Sequence, residues 1–220
     1  MNPPPTLCLV LRAPHPGTVK TRLAASIGTA VAAEVYRRLV EHQASEIPGE
    51  WRVEVHFTPA GAEAEMHNWL APLLPEQTVF HPQAEGDCGA RLRAALAGAA
   101  TRGAREILFV GGDCPQLTAE RLRSAALVLH AADFVIIPAV RGGYVLIGLA
   151  SPHAHAFDDI VRSTSAELAE TQRIIHAHGM NLQSFTPLED VDDLHSLLRA
   201  RQYCPALTSL GDYSDFRQTP

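Results

Sequence analysis

The sequence predicts an α/β fold, a three-layer α/β/α sandwich around one mostly parallel sheet. Three observations lead there. The run Ile107-Leu108-Phe109-Val110 is short, wholly apolar and rich in branched residues, which suits a strand buried on both faces. Similar runs alternate along the chain with segments of helical apolar spacing, the order that builds parallel sheets covered by helices. Finally, the 220 residues contain no long Gly/Ser/Pro tract and no block of like charge, and 46% are hydrophobic against 19% charged. That composition supports a sizeable core and one domain, placed at 1–204 with 205–220 as a loosely packed tail.

Taken in order, residues 6–12 (Thr-Leu-Cys-Leu-Val-Leu-Arg) read as a first buried strand. A loop from Ala13 to Arg22 follows, then one helix to about His42 carried by Leu23, Ile27, Ala30, Val31, Val35 and Leu39. Trp51 to Phe57 alternates as a strand, 62–72 is helical, and Gln77 to His81 is a short strand. Asp87 precedes an Ala-rich helix reaching about Ala100. The anchoring strand at 107–111 leads to a helix at about 118–131. Strands follow at Phe134–Pro138 and Val145–Leu149, separated by a glycine pair that permits a hairpin or a close approach. An amphipathic helix spans 164–178 with Ser163 or Thr164 as its cap. Asn181–Phe185 is a last strand, and a terminal helix begins around Leu188–Leu194.

The anchoring strand ends in Gly111-Gly112-Asp113-Cys114-Pro115. Asp113 therefore stands past the carboxyl end of a central strand, where open α/β sheets bind ligands. A carboxylate there can hold Mg²⁺ against phosphate oxygens; the alternative is a helix cap or a turn. The first loop supplies Pro14, Gly17 and the cations Arg12, Lys20 and Arg22. It lacks the first glycine of a Walker A loop. Cations are unfavourable at a helix start, so a bound phosphate explains them better than a solvated face does. Gln83, Gly86, Asp87 and Arg91 are candidates for contacts to a base or sugar, with Asp87 alternatively only a cap. Asp190 and Asp192 are secondary metal candidates, because acids at a helix start already suit its dipole.

Cys8, Cys88, Cys114 and Cys204 form no C-x-x-C pair and read as free thiols. The pairs His153/His155 and His176/His178 lack further ligands at zinc spacing. A net charge of -6 argues against nucleic acid or an anionic membrane as a partner. No run reaches the roughly 18 apolar residues of a membrane span. The start, Met-Asn-Pro-Pro-Pro, lacks signal-peptide features, so a cytoplasmic location is expected.

Five motifs occur in order: Pro14-x-Pro16-Gly17-x-Val19-Lys20-Thr21-Arg22-Leu23, Gln83-x-x-Gly86-Asp87-x-Gly89-x-Arg91, Gly112-Asp113-Cys114-Pro115, Pro138-Ala139-x-x-Gly142-Gly143-Tyr144-x-Leu146-Ile147-Gly148-Leu149, and Asp190-Val191-Asp192. Together they resemble a bacterial family of small glycosyltransferase A-like proteins (DUF2064-type), related to the molybdenum-cofactor and phospholactate guanylyltransferases. The resemblance implies a Rossmann-like nucleotide-diphospho-sugar transferase fold, a nucleotide or nucleotide-sugar donor, a small-molecule acceptor, and Mg²⁺ or Mn²⁺. It puts Lys20 and Arg22 on the phosphates, Asp113 on the metal, and Gly142, Gly143 and Tyr144 on the acceptor side.

Three departures stand out. Arg141 occupies the place of an acid before the glycines, Arg162 the place of a Trp, and Asp193-Leu194 follows the Asp-x-Asp at once. Arg141 is accordingly a catalytic candidate whose guanidinium replaces part of the metal's charge, making the metal weak or dispensable, and which pairs with Asp113 in the empty site. Two functions follow. One is a transferase moving a glycosyl or nucleotidyl group from a nucleotide donor. The other is a catalytically degenerate member that binds a nucleotide or a partner.

Overall fold

The computed structural model describes residues 3–152 and 165–211. The expected cap at Ser163 or Thr164, the departure at Arg162 and the pair His153/His155 lie outside them. Strands β1 (Thr6–Arg12), β2 (Arg52–Thr58), β3 (Val79–Pro82), β4 (Ile107–Val110), β5 (Phe134–Pro138), β6 (Tyr144–Leu149) and β7 (Leu182–Ser184) form one seven-stranded sheet in the order β3-β2-β1-β4-β6-β5-β7. β6 runs antiparallel to both neighbours, and the other pairings are parallel. β6 enters through a hairpin with β5, whose turn needs the positive φ of Gly142 (101°) and Gly143 (74°).

The period of two along β1 divides the core. Leu7, Leu9 and Leu11 pack on one face beneath α2 (Thr29–Ser45), α3 (Glu63–Leu70) and α5 (Ala119–Val128). Cys8 and Val10 face α4 (Cys88–Thr101) and Ile175 of α6 (Ser165–Ala177). Strands covered on both faces explain the unbroken apolar run of β4, which is buried throughout.

Three expectations change. The single helix after the first loop is two, α1 (Thr21–Ile27) and α2, broken at Gly28 (φ 83°, ψ 154°). Glycine adopts that conformation without a Cβ clash. The terminal helix α7 starts only at Leu194 and runs to Ala200. Asp193 caps it by accepting from the Ser196 amide, and the Ser196 hydroxyl completes a capping box. Asp190 and Asp192 therefore precede the helix. Finally, the tail beyond 204 does not begin loose. Pro205–Leu210 is a 3₁₀ helix whose fully buried Leu207 packs in one cluster with Leu23, Val35 and Leu39. Among the described residues no helix is long and apolar enough to cross a membrane.

Candidate functional site

β1 and β4 are parallel neighbours, so their carboxyl ends open at one edge of the sheet. Two cavities meet there. One, of about 300 Å³, is lined by Arg12, Lys20, Arg22, Tyr36, Asp113 and Asp192. The other, of about 280 Å³, is lined by Cys88, Leu92, Gly142, Gly143, Tyr144 and Asp190. Val10, Gly111 and Asp113 border both, so Asp113 stands on the ridge between them.

The stretch Leu188–Asp192 reaches this edge because its backbone is stitched to two loops. Leu188 N–H donates to Pro138 O (2.9 Å), Val140 N–H to Leu188 O (2.9 Å), and Val191 N–H to Asp113 O (2.9 Å). Glu189 N–H donates to Gln116 Oε1 (2.8 Å). Sequence positions 113 and 190 thereby become neighbours.

Lys20 is held between the acids. Its Nζ lies 2.9 Å from Asp113 Oδ2 and 3.7 Å from Asp192 Oδ1, and its side chain is only 7% exposed. The residue adopts left-handed backbone angles (φ 47°, ψ 45°), a conformation costly without glycine and typical of functional positions. Arg22 lies on the rim, 72% exposed, with a guanidinium nitrogen 3.3 Å from Asp192 Oδ2. Tyr36 lies below, its hydroxyl accepting from the Arg12 amide (3.0 Å), and burial pushes its pKa up.

Asp190 is the unsatisfied member. Its Oδ1 is buried without a hydrogen-bond partner among the described residues. Burial, then the charges of Asp113 and Asp192, raise its pKa to about 6. The unpartnered Asp190 oxygen, with Asp113 and Asp192 near enough for their charges to shift its titration, offers hard oxygen donors of the kind that suit Mg²⁺ or Mn²⁺. The titration has a consequence. An acid whose folded pKa is raised contributes stability that is complete below its unfolded pKa near 4 and lost as pH rises through about 6. Asp190→Asn should therefore stabilise the metal-free protein above that window, by roughly 1–2 kcal/mol after discounting for solvent screening. Urea unfolding in EDTA on either side of the window checks this. Equal stabilities at both pH values would remove the strain from Asp190.

The structure corrects the reading of Arg141. Asp113 pairs with Lys20, not with Arg141. Arg141 lines neither cavity and forms an ion pair with Asp193. The glycine turn aims its guanidinium at the start of α7, where a capping carboxylate is waiting. Burial alone would raise the Asp193 pKa, but hydrogen bonds from Ser196 and Arg141 outweigh it and bring it down to about 2. Stability from a depressed acid is present above its unfolded pKa near 4 and lost as pH falls through about 2. Arg141→Ala should cost about 0.5–1 kcal/mol at neutral pH, with the difference from wild type vanishing in strong acid and nucleotide affinity unchanged. Paired denaturation curves and calorimetry check it. A loss of affinity above tenfold would return Arg141 to the binding site.

The other expected contacts scatter. Gln83 donates through Nε2 to Leu11 O and His56 O (both 2.9 Å), pinning the strand edge. Asp87 caps α4 by accepting from the Ala90 amide (2.8 Å), as its alternative reading had it. Arg91 Nε donates to Gly86 O (3.0 Å). None of Gln83, Gly86, Asp87 and Arg91 lines either cavity, and neither does Gly17; Pro14 borders a separate hollow beside Glu34 and Arg37. Tyr36, Cys88 and Leu92 do line the cavities. Their only sequence signal was the apolar phase of α2 and α4, which marks core as readily as site.

The fold has many solved counterparts. A proposed nucleotide-diphospho-sugar transferase from Desulfovibrio desulfuricans G20 superposes with a TM-score of 0.79 at 24% identity, covering 93% of this chain and 96% of that one. A cytidylyltransferase from Leptospira borgpetersenii superposes at 0.57, with 14% identity and 99% of each chain covered. A 4-diphosphocytidyl-2C-methyl-D-erythritol synthase from Anaerococcus prevotii superposes at 0.58, with 9% identity over 90% of this chain and 98% of that one. These likenesses establish the nucleotide-diphospho-sugar transferase type of fold. No curated protein matches the chain significantly. Residues 43–164, more than half of the chain, match the profile of a family described as an uncharacterized protein conserved in bacteria. The chain is a member of that bacterial family, DUF2064.

Proposed function

We propose that the protein is a nucleotide-dependent transferase that moves a glycosyl or nucleotidyl group from a nucleotide donor to a small acceptor. The observation carrying this reading is the buried Lys20 side chain in the first, cationic cavity, held by Asp192 and by Asp113, which also borders the second, largely apolar cavity. Proteins of similar fold include a proposed nucleotide-diphospho-sugar transferase and a cytidylyltransferase, which agrees with it.

The donor phosphates enter the first cavity. Arg12, Lys20 and Arg22 neutralise them, Lys20 exchanging its carboxylate partners for phosphate oxygens. Asp113 and Asp190, with Asp192 beside them, would hold Mg²⁺ or Mn²⁺, which would supply positive charge to offset that developing on the phosphates. The acceptor occupies the second cavity against Tyr144 and the Gly142-Gly143 backbone, with Leu92 packing on its apolar part. Asp113, between the cavities, fixes the distance between donor and acceptor.

Glycosyl and nucleotidyl transfer use the same arrangement and differ in what leaves. A panel of nucleoside triphosphates and nucleotide sugars, incubated with candidate acceptors and Mg²⁺ or Mn²⁺, separates them. Pyrophosphate release identifies nucleotidyl transfer, and nucleoside diphosphate release identifies glycosyl transfer. Nucleotide binding without either product across the panel would instead identify a degenerate, binding-only member.

A further inference from the structure

Below the cleft, on the sheet face under α4, three polar side chains converge where a doubly covered sheet is normally apolar. Cys8 on β1 is the register partner of Glu54 on β2, and His56 follows two residues later on the same face. One ligand atom from each (Sγ, a carboxylate oxygen and a ring nitrogen) lies within 4.8 Å of the other two. The residues are 0%, 5% and 4% exposed. Among the described residues this is the one group of His, Cys, Asp and Glu with such spacing. A fourth donor borders it. His81 on β3 is the register partner of His56, with ring centroids 5.6 Å apart, and its Nε2 is buried with no hydrogen-bond partner among the described residues.

We propose that Cys8, Glu54, His56 and His81 form a structural Zn²⁺ site tying β1, β2 and β3 together beneath the cleft. A thiol, two imidazoles and one carboxylate select zinc over Mg²⁺, which the oxygen-only acids above would take. The His56 Nε2–Glu54 Oε2 separation is 3.1 Å, close to the roughly 3.3 Å edge of a tetrahedron with bonds of about 2.0 Å. Arg102 supplies the outer partner that ligating carboxylates usually have, its Nε donating to Glu54 Oε1 (3.0 Å) and Nη2 to Oε2 (2.5 Å).

Protonation states agree with this geometry. Burial alone would raise the Glu54 pKa, but His56 and Arg102 bring it down to about 2. Burial, then the charge of Arg102, lowers the His81 pKa. Burial pushes the Cys8 thiol up, so the metal-free protein keeps its proton. On binding, the Cys8 Sγ–H bond breaks, the proton passes to the buffer, and the sulfur pair bonds to Zn²⁺. Nothing is oxidised or reduced, and affinity rises with pH. Val10, two residues further along β1 and lining both cavities, lies only about 6.6 Å away along the strand.

The test uses the full chain, reduced and stripped of metal, titrated with Co²⁺ and then Zn²⁺. One equivalent of Co²⁺ should give thiolate-to-cobalt charge-transfer absorption, bleached by Zn²⁺. The band should disappear in Cys8→Ser, weaken at least tenfold in cobalt affinity in His81→Ala, and persist in Cys88→Ser, with circular dichroism confirming the fold. Should Cys8→Ser fail to fold, His81→Ala at the half-buried sheet edge carries the test. No charge-transfer band in the wild type, or an unchanged one in Cys8→Ser or His81→Ala, would overturn the proposal. The hard acids of the cleft give no such band, so failure here leaves the transferase reading standing.

Discussion

Lys20→Ala should lower kcat/KM about 10²–10³-fold, equivalent to about 2.7–4 kcal/mol, the scale of removing one preorganised electrostatic group from an enclosed site. Lys20 earns this rank over Arg22 by burial: 7% of its side chain is exposed against 72%. A charge out of water acts through a lower effective dielectric, so Arg22→Ala should cost about tenfold or less. The fold should survive, because Asp113 and Asp192 are 35% and 23% exposed and can rehydrate. Lys20→Gly sharpens the comparison. It relieves the left-handed backbone at φ 47° and should be more stable than Lys20→Ala by about 1 kcal/mol, yet equally inactive. Steady-state kinetics and urea unfolding of the three variants check these orders. Equal losses for Lys20→Ala and Arg22→Ala would contradict the rank that burial gives Lys20 over Arg22.

Gly112→Val should destabilise the protein by about 3 kcal/mol, a fall of about 6–12 °C in Tm for a chain of this size. A Cβ at Gly112 would sit 2.4 Å from Val40 Cγ2 and 3.0 Å from Leu11 Cδ2. Both partners are buried at 1% exposure, so neither can turn aside into solvent. The chain after β4 would have to lift from α2 and carry Asp113 with it. The neighbouring glycine behaves differently. A Cβ at Gly111 would meet only the Asp113 carboxylate, at 3.0 Å from Oδ1. Gly111→Ala should therefore perturb the acid while nearly preserving stability. Thermal and urea unfolding distinguish the two; a cost below 1 kcal/mol for Gly112→Val would contradict the close approach to α2.

The parts of the molecule legible in the sequence were those set by local pattern. The β1 and β4 runs, and Asp113 beyond β4, could be placed because burial on both faces leaves an unbroken apolar signature. The motif from Pro14 to Leu23 led to Lys20, but not to its partner. Which carboxylate a cation meets depends on where Leu188–Asp192 returns to the sheet, and that is fixed by backbone hydrogen bonds to Asp113 and Pro138 with no local mark. The same blindness sent Arg141 to Asp113 instead of Asp193. Gly28 was read through because the apolar phase continues from Ile27 to Ala30 across a break that lives in one residue's φ. Cys8 read only as a free thiol, because nothing but strand register brings position 8 opposite position 54.

Isothermal titration calorimetry of nucleoside triphosphates and nucleotide sugars into the wild type and Lys20→Ala, with Mg²⁺, with Mn²⁺ and again with EDTA, tests the phosphate site most directly. At least one such nucleotide should bind, more tightly with Mg²⁺, and Lys20→Ala should weaken that binding by roughly 1.5–3 kcal/mol. Absence of binding across the panel with either Mg²⁺ or Mn²⁺, or binding indifferent to Lys20, would contradict a phosphate site between Arg12, Lys20 and Asp113.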